Sequence, residues 1–150
     1  MFDVHVLTIT EFKEVPGIDE LIKAHWAELP NFGGGDLNVA WEMYELMGDT
    51  LSCFILTNDD VPVGYALFNE VCSRQTNDVL AVNDVLYLAP EVRGQGVGPT
   101  MIKWIERYYF EDGVAQMVLQ FKPHAVPVGM LEELGYSMSE VQYAKVLTEE

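Results

Sequence analysis

Three strand-like runs, rich in Val, Leu, Phe and Tyr, follow one another at residues 51–57, 63–71 and 79–88 with no helical spacing between them. Short connections cannot carry a parallel crossover, so these three runs must pair antiparallel. Asn58-Asp59-Asp60 is a hairpin turn cluster between the first two, and the polar stretch 73–78 joins the second to the third. The period then changes. Residues 98–110 place Met101, Ile102, Ile105, Tyr108 and Tyr109 on one helical face, and a fourth strand is expected at 114–121. That connection is long enough to hold a helix, so the strands it joins should be parallel, by a right-handed crossover.

The flanks add elements to this core. Residues 4–9 alternate as a strand, Pro16-Gly17 marks a turn, and Ile18, Leu21, Ile22, Trp26 and Leu29 recur at helical spacing up to Pro30. Residues 31–35 contain three consecutive glycines and read as a hinge or a site wall. Asp36 suits the N-cap of a second helix carrying Leu37, Ala40, Met43, Tyr44 and Met47, with Gly48 at its end. A short helix is expected at 127–134, between Pro127 and Gly135, and one or two strands at 136–147. The expected fold is α+β (mixed α/β): a mixed, mostly antiparallel sheet of six to seven strands, helices on both faces, in one domain over residues 1–150.

Charge and cysteine usage narrow the function. Eight Lys and Arg against 24 Asp and Glu give a net charge of −16. A field of that sign repels phosphate backbones, so nucleic acid is an unlikely partner. Cys53 and Cys72 sit in strand-like runs and fit neither a disulfide scaffold nor a zinc site, so no metal is expected. No apolar run is long enough to span a membrane, and the start of the chain lacks the pattern of a secretory leader. A cytoplasmic protein is expected.

The stretch that carries chemistry runs from Leu86-Tyr87-Leu88-Ala89-Pro90-Glu91-Val92 into Arg93-Gly94-Gln95-Gly96-Val97-Gly98-Pro99. A strand enters a loop with three glycines at alternate positions, and a helix opens at once. Glycines let a ligand approach the backbone closely, and free N–H groups at a helix start attract an anion. The spacing is neither that of a dinucleotide fold nor that of a P-loop. Arg93-x-x-Gly96-x-Gly98 resembles the acetyl-CoA signature of the GNAT superfamily of N-acetyltransferases. The strand end at Leu86–Pro90, the later Glu132-Glu133-Leu134-Gly135-Tyr136 and the order of elements share that resemblance. Asp84-Val85-Leu86-Tyr87 and Glu140-x-x-Tyr143-x-Lys145 look most like the bacteriophage-encoded branch, which would make the setting a host cytoplasm.

The resemblance implies a pair of parallel strands splayed apart by a bulge. Backbone groups of Leu86, Tyr87 and Leu88 would bind the pantetheine arm of acetyl-CoA, and amides of Arg93, Gly94, Gln95, Gly96, Val97 and Gly98 its pyrophosphate. An amine acceptor would attack directly, and a homodimer is compatible with the family. Four of the eight basic residues, Arg93, Lys103, Arg107 and Lys122, lie in the segment that would meet the polyphosphate. The amine must first lose a proton, because an alkylammonium ionises only near pH ~10. Asp84 is the first candidate for that base. Strict alternation sets it in an apolar row with Leu80, Val82, Leu86 and Leu88, where an unpaired carboxylate is costly; its structural alternative is to cap a bulge. Glu70, at the end of the preceding strand, is the second. Leu131 stands where many members carry a catalytic Tyr, so the acid that protonates the thiolate falls to His124, Tyr136 or Tyr143, or is dispensed with. Two functions follow: an acetyl-CoA-dependent N-acetyltransferase acting on a primary amine, or an acidic interaction protein of the same fold with little turnover.

Overall fold

The computed structural model describes residues 1–29 and 36–149, so the glycine run expected as a hinge lies outside the described residues. The hairpin at 58–60 organises the sheet. Strand β2 (Leu51–Asn58) passes into β3 (Val61–Cys72) through Asp59 and Asp60, whose φ angles are 48° and 68°. Two successive left-handed residues make the tight turn whose twist matches the strands, and short acidic side chains tolerate that conformation. Strand β1 (Phe2–Leu7) pairs antiparallel with β2, and β4 (Val79–Leu88) pairs antiparallel with β3. Strand β5 (Gln116–Val118) adds to β4 in parallel, giving the spatial order β1-β2-β3-β4-β5.

Helices cover both faces. On one lie α1 (Ile9–Lys13), α2 (Ile18–Glu28) and α3 (Trp41–Met47), where Phe12, Ile18, Ile55, Tyr65 and Leu67 are buried together. On the other lies α4 (Val97–Glu111), with Phe54, Phe68, Met101, Ile105 and Tyr109. Full burial of such a side chain stabilises by roughly 1.5–3 kcal/mol, so these two layers supply most of the driving force. Helix α5 (Val128–Glu133) brings Met130 near the start of α4, 3.7 Å from where a Cβ on Gly98 would lie.

Four expectations are corrected. The strand expected over 4–9 ends at Leu7, and α1 follows where no element was expected; Thr8 accepts from the Glu11 N–H while the Glu11 carboxylate accepts from the Thr8 N–H, a reciprocal cap that starts a helix at Ile9. Asp36 caps nothing: α3 begins only at Trp41, and residues 37–40 carry no regular structure, with Leu37 and Val39 partly buried against a cavity. Strand β5 is three residues long where eight were expected at 114–121. The sheet has five strands rather than six or seven, because residues 136–149 form none. A strand exists only by pairing, and the alternating tail leaves Met138, Val141, Tyr143 and Leu147 exposed.

Gly64 sets how closely β3 approaches the functional end of β4. A Cβ there would lie 2.7 Å from Leu88 Cδ2 and 2.9 Å from the Tyr87 carbonyl oxygen. The leucine methyl can rotate away, but the carbonyl belongs to the ladder. Gly64→Ala is expected to lower stability by about 1–3 kcal/mol, read as a lower urea midpoint at constant slope. An unchanged midpoint would mean that the two strands separate there without cost.

Candidate active site

Strand β4 changes phase in its middle. Leu67 pairs with Val85 and Phe68 with Asn83, so Asp84 is an extra residue, a β-bulge. Because of it, Asp84 shares a face with Leu80 and Val82, while Leu86 and Leu88 turn to the opposite face and pack with the α4 core. The apolar row expected around Asp84 is therefore broken, and Asp84 is exposed. Its carboxylate accepts a short hydrogen bond from the Tyr44 hydroxyl. Burial, and secondly this carboxylate, push the Tyr44 phenol well above its ordinary range.

The parallel ladder between β4 and β5 ends at Val82–Val118. One residue further on, Asn83 spans the widening gap with its side chain. Its Nδ2 donates to the Gln120 carbonyl at 3.1 Å, and its Oδ1 accepts from the Gln120 N–H at 2.5 Å. Asn83 is almost fully buried, so this pair satisfies groups that would otherwise be costly. Beyond it, β4 has a strand partner on one side only, and residues 84–88 present an open backbone edge.

That edge leads into the glycine loop. Gly94 and Gly96 have φ angles of 77° and 76°, which L side chains rarely adopt, and a Cβ on either would meet nothing within 4 Å. The N–H groups of Gly94, Gln95, Gly96, Val97 and Gly98 donate to no protein acceptor among the described residues. The Arg93 N–H does donate, to the Pro90 carbonyl at 3.2 Å, so the cradle of free amides is one residue shorter than expected. Pro99 is the third residue of α4, within the first turn, where a missing N–H breaks no helical bond. These residues fit a pyrophosphate: open amides, a helix start and no side chain in the way.

The Arg93 side chain turns the other way. Its Nε donates to the Leu88 carbonyl at 2.9 Å, and its terminal nitrogen to both Glu28 oxygens at 2.8 and 3.0 Å. Glu28 also accepts from the Tyr87 hydroxyl at 2.8 Å, and His25 stacks on the Tyr87 ring at 4.5 Å while its Nδ1 lies 2.5 Å from the Tyr65 hydroxyl. The chain of contacts runs from α2 across the sheet to the loop. Hydrogen bonds from Arg93 and Tyr87 hold the Glu28 carboxyl below its usual range. Burial holds the His25 imidazole below its own.

The His25 shift has a sign that can be tested. Below about pH 6.5 the unfolded chain takes up a proton at His25 that the native state resists, so stability falls as pH falls from there. Glu70 acts oppositely there, since its raised pKa keeps a proton on the native state. His25→Gln removes only the first effect. The wild type should therefore lose more stability than His25→Gln in urea unfolding as pH is lowered from about 7.5 to about 5. Equal losses would show that His25 is solvated in the native state.

On the α1–α3 side of the sheet lies a cavity of about 280 Å³. Phe12, Trp26, Trp41, Tyr44 and Tyr65 line it with His25, and Val85, the neighbour of Asp84, forms part of its floor. The other expected residues are not gathered here. Glu70 pairs with Ala81 on the α4 face, near Asp112 just past α4; burial, then that neighbouring carboxyl, raise its pKa. His124 is exposed on a single 3₁₀ turn, Pro123–Ala125.

A splayed parallel pair, an amide cradle at the helix start and a cavity across the sheet form one arrangement, and sequence comparison agrees with it. The profile of the Acetyltransferase (GNAT) family matches residues 18–136, most of the chain. The chain belongs to the GNAT family. Solved structures of acetyltransferases share the fold at low identity. An aminoglycoside acetyltransferase from an uncultured soil metagenomic sample, in complex with sisomicin, superimposes with a TM-score of 0.72 at 13% identity, covering 99% of this chain and 95% of that one. Ribosomal-protein-alanine N-acetyltransferase from Brucella melitensis biovar Abortus 2308 gives 0.69 at 16%, covering 97% and 99%. Glucosamine-6-phosphate N-acetyltransferase from Arabidopsis thaliana gives 0.70 at 13%, covering 99% of each. Comparison with curated proteins finds no match.

For this GNAT chain, sequence reasoning missed His25, Glu28 and Tyr65 as site residues and took Tyr44 only as a helix-face residue. All four come together through contacts between elements distant in sequence, which no local spacing encodes. The basic segment also differs from expectation. Arg93 is paired with Glu28 and Arg107 with Glu111, so two of its four cations are neutralised within the protein. Among the described residues no helix is long and apolar enough to cross a membrane, and no cluster of three or more His, Cys, Asp or Glu could hold a metal ion.

Proposed function

We propose that the chain is an acetyl-CoA-dependent N-acetyltransferase that moves the acetyl group to a primary amine by direct attack in a ternary complex. The observation that carries this reading is the open edge of residues 84–88 leading into the free amides of Gly94–Gly98. An extended pantetheine arm needs such an edge, and a pyrophosphate needs such amides. Leu86, Tyr87 and Leu88 hold the arm through their backbone. The Leu88 carbonyl already accepts from Arg93, which leaves it one lone pair.

Asp84 takes the proton from the ammonium, and the freed amine attacks the thioester carbonyl. A C–N bond forms, the C–S bond breaks, and the thiolate leaves as the proton donor delivers its hydrogen. Tyr44, whose hydroxyl touches Asp84, takes that role in this reading in preference to the candidates from sequence. Tyr136 is tied to Glu106 at 2.6 Å, Tyr143 is almost fully exposed, and His124 lies on an exposed turn. The reading keeps the cytoplasm as its setting and, from residues 84–87 and 140–145, the bacteriophage-encoded branch; a homodimer is compatible with it. Calorimetric titration with acetyl-CoA should give saturable binding near micromolar affinity, about −8 kcal/mol. No binding would return the function to an acidic interaction protein on this fold.

A further inference from the structure

The cavity on the α1–α3 face has a composition that selects among amines. Its volume of about 280 Å³ is at the lower limit of pockets that take small organic ligands, roughly 300–1,000 Å³. Five aromatic rings and the aliphatic side chains of Ile22, Leu29, Leu37, Val39, Leu67 and Val85 make up most of its wall. Among the described residues, the polar side chains on it beyond the tyrosine hydroxyls are His25 and Asn38, and no lining residue is a carboxylate, a lysine or an arginine. Charge stands beside two of its walls: Asp84 at the Tyr44 hydroxyl, and the Lys13 Nζ 5.5 Å from the Trp41 ring, where it is paired with Glu45.

We propose that this cavity takes a primary amine carried on a single flat, apolar body, with the nitrogen at Asp84 and Tyr44 and the body between Phe12, Trp26 and Trp41. This rests on the N-acetyltransferase reading and names its acceptor class. An ammonium at the mouth meets the Asp84 carboxylate and the Tyr44 ring beside it, while the Trp41 ring already carries the Lys13 ammonium at 5.5 Å. A ring deeper in the cavity stacks against tilted aromatic walls. A polyamine or an amino sugar would bring further charges and hydroxyls that find no partners on this lining, and each such group is costly when buried. The net charge of −16 favours cations over the whole surface, yet the pocket itself selects by shape and apolar contact.

The test uses 2-phenylethylamine against spermidine and glucosamine, with acetyl-CoA binding measured in parallel. Two of the three tryptophans line the cavity, so 2-phenylethylamine should change their fluorescence saturably. It should also be acetylated with a kcat/KM at least about tenfold above either competitor. Trp26→Ala, at a half-exposed rim position, should raise its KM about tenfold and leave the acetyl-CoA Kd unchanged; Trp41→Phe should do so more mildly. Equal or better use of spermidine or glucosamine would overturn the acceptor class and leave the N-acetyltransferase standing. Binding of acetyl-CoA with no turnover or fluorescence change for 2-phenylethylamine would also overturn it. Failure of acetyl-CoA to bind would overturn both.

Discussion

Gly96→Glu is expected to abolish binding of acetyl-CoA, weakening Kd by at least about 100-fold, or ~2.7 kcal/mol. Two effects act together. Gly96 sits at a φ of 76° as the residue before α4, where an L side chain costs about 1–2 kcal/mol. The space around it is open, so the new carboxylate would project where a pyrophosphate approaches the free amides, and like charges repel. Gly96→Asn separates the two, because asparagine tolerates left-handed backbone and carries no charge. It should bind within about tenfold of the wild type. A folded Gly96→Glu protein that binds normally in calorimetry would remove the loop from the cofactor site.

Asp84→Asn should lower kcat by about 10²- to 10⁴-fold, the usual worth of a positioned base, with the acetyl-CoA Kd unaltered. The substitution keeps the size of the side chain, and its amide oxygen can still accept from Tyr44, so the bulge and the contact to α3 persist. What is lost is the ability to take a proton. Stability in urea should match the wild type, which distinguishes loss of chemistry from loss of fold. A kcat within about threefold of normal would move the base elsewhere, first to His25, whose burial keeps it unprotonated near neutral pH.

Much of the fold is legible in residue order. Three strand runs separated by turns dictate antiparallel pairing, the Asp59-Asp60 turn closes as its residues suggest, and α4 follows its apolar spacing from Val97 to Glu111. The shape of the glycine loop is also legible, because Gly94 and Gly96 take positive φ angles that favour glycine. The failures share one cause. The capping pair Thr8 and Glu11 was present in sequence but hidden behind an apolar run that reads equally as strand. The terminal residues 136–147 alternate as a strand should, yet alternation only prepares a strand; a neighbour has to pair with it.

The site divides the same way. Local sequence determined the amide cradle, since positive φ angles and missing side chains are properties of the residues at 94 and 96 themselves. Tertiary structure decided everything that depends on which face a side chain takes. One extra residue at Asp84 reverses the alternation of β4, sending Leu86 and Leu88 to the α4 core and Asp84 to Tyr44. Glu70, in step with Phe68 along β3, lies near Asp112 on the other face. The side-chain period of a strand is two, so a single inserted residue exchanges the faces, and only the pairing with β3 reveals where the insertion falls.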